Sequence, residues 1–103
     1  MKLLVKVQIP VEKGNQKVKD GTLSTTLGEI MARQKPEAVY FTDVDGQRAI
    51  YTVVNVNDSS EISLIAEPYY LGFNAKVEIK TVLTPDDIGK AGTQFGELVA
   101  KFA

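Results

Sequence analysis

The sequence predicts an α+β domain in which four strands form one antiparallel sheet and helices pack on one of its faces. Three features carry this reading. Leu3, Val5, Val7 and Ile9, and again Ala75, Val77 and Ile79, recur at every second position with polar residues between them. Two intervening segments carry apolar residues at helical spacing instead. Asp45-Gly46 separates two runs rich in Val, Ile, Tyr and Thr, the signature of a tight hairpin.

The first strand is Leu3 to Ile9, where β-branched residues alternate with Leu4, Lys6 and Gln8 and Pro10 closes the run. Next come Leu23, Leu27, Ile30 and Met31 at i, i+4, i+7 and i+8, the core stripe of an amphipathic helix. Lys35-Pro36 ends it, because the residue before proline is pushed out of the helical region. This helix starts either near Asn15 or after Gly21. The longer version is the expected one, with Gly21 tolerated inside it at about 1 kcal/mol.

Ala38 to Asp43 and Gln47 to Val56 form the hairpin. With Asp45-Gly46 as a type I′ turn, Val44 meets Gln47, Asp43 faces Arg48, Phe41 faces Ile50 and Tyr40 faces Tyr51. Asp58-Ser59-Ser60-Glu61 reads as a capping box, with Asp58 the N-cap and Glu61 reaching back. Ile62, Ile65, Ala66 and Tyr69 follow at helical spacing, Pro68 is expected to kink or restart the helix, and Gly72 to end it. Thr84-Pro85-Asp86-Asp87 opens another helix, with threonine as cap, proline in the first turn and acids where the helix dipole favours them. Phe95, Leu98, Val99 and Phe102 predict a short C-terminal helix that packs on the rest.

The order β-α-β-β-α-β followed by an extra helix is the ferredoxin-like split βαβ arrangement. The helices should cover the sheet face bearing Leu3, Val5, Val7, Ile9, Ala75, Val77 and Ile79. The opposite face mixes Leu4, Lys6, Gln8, Lys76, Glu78 and Lys80 with aromatic and small residues of the hairpin. So large a half-polar face is either wet or covered by a partner.

Composition limits the chemistry. The 103 residues show no compositional break, which predicts one domain over 1–103. A chain of this size buries roughly two-thirds of its unfolded surface. Twelve basic against thirteen acidic side chains argue against nucleic-acid binding. The cluster Lys13, Lys17 and Lys19 is flanked by Glu12 and Asp20 and reads as a solvated face. Without cysteine there is no disulfide, thiolate zinc site, iron–sulfur cluster or thiol nucleophile, and without histidine the usual acid–base group and serine triad are missing. The N-terminal Met1 to Lys6 does not read as a signal peptide and no run is long enough to span a bilayer, so a cytoplasmic location is expected. No phosphate-binding glycine loop is present, and no cofactor or metal is expected.

The run KPEAVYFTDVDGQRAIYTVVNVND from Lys35, the stretch IAEPYYLGFNAKVEI and the later TPDDIGKAG resemble a group of small uncharacterised bacterial proteins of the dimeric α/β-barrel superfamily. The resemblance spans nearly the whole chain. It implies a homodimer in which two sheets face each other and close a barrel lined by the half-polar faces. It transfers no catalytic residue. The superfamily holds cofactor-free monooxygenases, muconolactone-isomerase-like enzymes and ligand-binding regulatory domains, among which fold does not choose.

Six residues stand out as ligand-binding candidates: Tyr40, Tyr51, Glu67, Tyr69, Lys6 and Lys80. Glu67, beside Pro68 and the Tyr69-Tyr70 pair, could act as a base or hold a polar ligand, although an acid on a helix is more often solvated. Tyr40 and Tyr51 could line a pocket, although packing is their commoner role. Lys6 and Lys80, on the half-polar face, would be perturbed inside a closed barrel and ordinary on an open one. Arg48 is expected to pair with Asp43. Asp43 and Asp45 are explained by the turn, since they supply too few ligands for calcium. These features favour a non-catalytic dimeric module for a small ligand or partner. The competing expectation is a cofactor-independent isomerase or monooxygenase for a small aromatic or lactone-like substrate.

Overall fold

The computed structural model describes residues 1–103. In chain order the elements are β1 (Lys2–Ile9), α1 (Val11–Lys19), α2 (Leu23–Gln34), β2 (Ala38–Val44), β3 (Gln47–Asn55), α3 (Glu61–Phe73), β4 (Lys76–Val82), α4 (Pro85–Gly92) and α5 (Phe95–Phe102). The strands form one antiparallel sheet in the order β2-β3-β1-β4. With two helical crossovers on one face, this is the ferredoxin-like arrangement, extended by C-terminal helices.

The core follows the period-two pattern. Leu3, Val5 and Val7 are fully buried, and Ile9 nearly so, beneath α2 and α3, where they meet Ile30, Ile65, Tyr69 and Phe73. The hairpin has the register read from the sequence, Tyr40 opposite Tyr51 and Asp43 opposite Arg48. Asp45 and Gly46 both have positive φ, 50° and 75°, as a type I′ turn requires.

Local chemistry departs from expectation at several points. The first crossover is two helices, not one long one. It starts at Val11, directly after Pro10, and breaks at Gly21, whose φ of 77° lies outside helical space. The Thr22 N–H returns to the Lys17 carbonyl at 3.0 Å and the Gly21 N–H to that of Val18 at 3.2 Å, so α1 ends in a Schellman motif. The Asp20 carboxylate then accepts from both the Thr22 N–H and its hydroxyl, at 2.9 and 2.6 Å. Gly21 is thus a helix terminator rather than a tolerated interior glycine.

Before α3, Glu61 accepts from the Asp58 N–H at 2.8 Å as expected, but also from the Asn57 N–H at 2.7 Å. Asp58 turns to the Ser60 N–H, and the helix starts at Glu61 with Ser60 as its cap residue. Pro68 does not restart α3. The carbonyl it leaves unpaired belongs to Leu64, on the exposed side of the helix, where water can satisfy it. The helix also passes Gly72 and ends at Asn74, which takes the left-handed cap with φ of 52°.

The C-terminal helices do not pack as expected. The α4 start is the one read from the sequence: Thr84 and Asp87 bond reciprocally and Pro85 opens the helix. Yet neither α4 nor α5 has a buried residue. Phe95, Leu98, Val99 and Phe102 are 46–77% exposed. The chain is consequently elongated, 60 × 28 × 20 Å, with a radius of gyration of 17.5 Å where about 13 Å is usual for this length.

Candidate functional site

The alternation that buries Leu3, Val5 and Val7 turns Leu4, Lys6 and Gln8 to the open face of the sheet. Register then dictates their neighbours. Lys6 lies between Tyr51 of β3 and Glu78 of β4, and Leu4 between Val53 and Lys80. Tyr40 of β2 sits beyond Tyr51 in the same cross-strand row. Four residues chosen from the sequence, Lys6, Tyr40, Tyr51 and Lys80, therefore share one face.

On that face Leu4, Lys6, Tyr51, Glu78 and Lys80 line a recess of about 160 Å³. Its charges are unevenly matched. The Glu78 carboxylate lies 3.7 Å from the Lys6 ammonium and 3.8 Å from that of Lys76. Lys80 makes no ion pair. Lys6 is held down on the sheet, with 28% of its side chain exposed, while Glu78 is 45% exposed. Leu4 and the Tyr51 ring supply an apolar floor and wall beside a free cation, the mix expected of a small-molecule site. Farther along, the Gln8 side-chain amide donates to Gln47 Oε1 at 2.8 Å. At the opposite corner Lys2 pairs with Glu37, which also accepts from Asn55 at 3.2 Å. The Lys2 contact, then that of Asn55, lowers the Glu37 pKa.

The other two candidates lie elsewhere. Glu67 is exposed on α3, in the layer on the far side of the sheet, and cannot reach the recess. Tyr69 is fully buried in the core between α3 and the sheet. Its hydroxyl has no hydrogen bond of normal geometry, and neither has that of Thr52. Burial pushes the Tyr69 phenol up to about 12, with the nearby Thr52 hydroxyl pulling slightly the other way. Tyr70 is 42% exposed beside it.

Arg48 does not take Asp43 as its partner. It projects to the helical side of the sheet and crosses α1, where its Nη1 donates to Asn15 Oδ1 at 3.0 Å. Gly14 makes the crossing possible: a Cβ there would stand 2.7 Å from Nη1. Glu78 completes the recess without being one of the six residues singled out from the sequence, although it shares the alternation of Lys76 and Lys80. That pattern was the available signal for it.

A larger depression, about 620 Å³, lies among Glu12, Asn15, Gln16, Lys19 and Asp20 of α1. None of its lining side chains is hydrophobic, so it lacks what holds a small molecule. No three His, Cys, Asp or Glu side chains are grouped to hold a metal ion, and no helix is long and apolar enough to cross a membrane.

No family model matches the chain, and no curated protein matches it. Among solved structures, the chain is similar to a de novo designed protein, Ferredog-Diesel, at 10% identity and a TM-score of 0.47 over 79% of this chain and 85% of that one. The fold assignment rests on the strand order and crossovers described above.

Proposed function

We propose that the protein is a non-catalytic homodimeric module that binds a small anionic molecule with an apolar or aromatic body on the open face of its sheet. The observation that carries this reading is the recess itself: Lys80 without a counter-charge beside Leu4 and the Tyr51 ring, with Lys6 and Glu78 as a fixed pair next to it. An anion there gains a cation that no protein carboxylate already holds, and its body covers apolar surface. The dimer is supported by the resemblance to dimeric α/β-barrel proteins and by a half-polar face that its own helices leave uncovered.

Benzoate is a suitable probe, with benzyl alcohol as its neutral counterpart. Titration followed by amide chemical shifts should place benzoate against β1, β3 and β4, and Lys80→Gln should weaken it about five-fold. Equal binding of the two probes, or no effect of Lys80→Gln, would overturn the anion site. Native mass spectrometry of freshly purified protein reports the dimer and any molecule that travels with it, and a monomer would remove the dimer from the proposal.

A further inference from the structure

The C-terminal arm and the open sheet face are two uncovered surfaces of one chain. In α5, Phe95, Leu98, Val99 and Phe102 stand at i, i+3, i+4 and i+7, a single apolar stripe left 46–77% exposed. Ile88 of α4 is also 48% exposed. An apolar stripe of this kind is normally buried against another element. The arm does not reach its own open face. The Thr84–Asp87 capping box and Pro85 set its direction at the end of β4, and α4 borders the face only at the Lys2–Val82 end, across a cleft of about 470 Å³.

We infer that each arm seats its apolar stripe on the open sheet face of a second copy of this chain, roofing the recess at Leu4, Tyr51 and Lys80. The inference rests on the dimer part of the proposed function and departs from the resemblance in how the dimer is built, an arm on a sheet in place of sheet on sheet. Charge favours this over direct closure of one sheet on another. With Lys2 held by Glu37, the face carries Lys6, Lys76 and Lys80 against Glu78 alone, so two faces brought together would oppose like charges. The arm carries Asp86, Asp87 and Glu97 against Lys90 and Lys101, an acidic surplus that complements the face.

Dimensions agree. The two eight-residue helices of the arm have a combined length of about 24 Å, close to the roughly 26 Å of an eight-residue strand. Four strands of that length present a face of roughly 500 Å². An arm about 10 Å wide covers roughly 240 Å² of that face, so a reciprocal exchange, in which each copy gives one arm and one face, buries about 1,000 Å² in all, the level that a specific two-fold interface should clear.

The test uses the full chain. Leu98→Asp with Phe102→Asp changes only exposed side chains, so circular dichroism should show an intact fold while the dimer dissociation constant rises at least 100-fold in native mass spectrometry. A photo-reactive benzoylphenylalanine at position 102, in a mixture of light and ¹⁵N-labelled subunits, should cross-link to β1, β3 or β4 peptides of the other isotope. A dimer that survives both aspartates, or cross-links confined to one chain or to the helical layer, overturns the arm exchange and leaves the dimer standing. A wild-type monomer overturns both, while the benzoate titration still reads the recess separately.

Discussion

Lys6 and Glu78 face each other across β1 and β4 with 3.7 Å between ammonium and carboxylate, and Lys80, one pleat along the same face, is left without a partner. Both facts come from the register of one strand pair. Glu78 serves Lys6 and Lys76 together, so it sets the charge of the whole face. Replacing it with Gln should release both lysines and tighten benzoate by about two- to five-fold, the scale of one partly exposed ion pair. The gain should shrink as salt is raised. Unchanged or weakened binding in the titration would show that Glu78 itself helps to hold the ligand.

Tyr69 places a phenol in the core without a normal hydrogen bond. Tyr69→Phe removes a desolvated hydroxyl and keeps the ring, so urea unfolding at neutral pH should give a variant between unchanged and about 1 kcal/mol more stable. The alkaline limb adds a second check. The folded pKa, about 12, lies above the ordinary 10, so the protection is complete below 10. It is lost as the unfolded state ionises first, between 10 and 12. Wild type should therefore lose stability through that window more steeply than Tyr69→Phe.

The Thr84 N–H and hydroxyl hold Asp87 below the usual carboxylate range. A lowered folded pKa means that the cap contributes fully above the unfolded carboxylate value near 4 and fades as pH falls through the folded one. Asp87→Asn should reduce helical ¹³Cα shifts over 85–92 at pH 7. Wild type and variant should converge once the pH falls below the lowered folded value. Equal helical shifts in wild type and variant at pH 7 would assign the helix start to Pro85 and Thr84 alone.

Glycines separate the two halves of the first crossover. Gly28 lies inside α2 with open space where a Cβ would stand, so Gly28→Ala should stabilise by about 0.5–1 kcal/mol. Gly21 also has open space, but its φ is 77°, and Gly21→Ala should destabilise by about 1 kcal/mol. Opposite shifts in the urea midpoint would confirm that backbone conformation, not crowding, decides these positions.

The sequence by itself determined what depends on a few neighbouring residues. Period two placed the strands and their buried face, Asp45-Gly46 set the hairpin register, and Thr84-Pro85-Asp86-Asp87 set a helix start. These are backbone preferences and short hydrogen bonds, written in adjacent positions. Tertiary structure decided what depends on residues far apart. Arg48 chose Asn15 over Asp43 because Gly14 leaves a passage across α1. Glu67 and Tyr69 fell on the helical layer while Lys6, Tyr40, Tyr51 and Lys80 met on the open one, with Glu78 among them, because β1 pairs with both β3 and β4. The stripe of α5 promised a packed helix, but amphipathicity states only that a helix has a face to bury. Whether anything in the same chain lies within reach is a matter of where β4 ends and which way α4 leaves it.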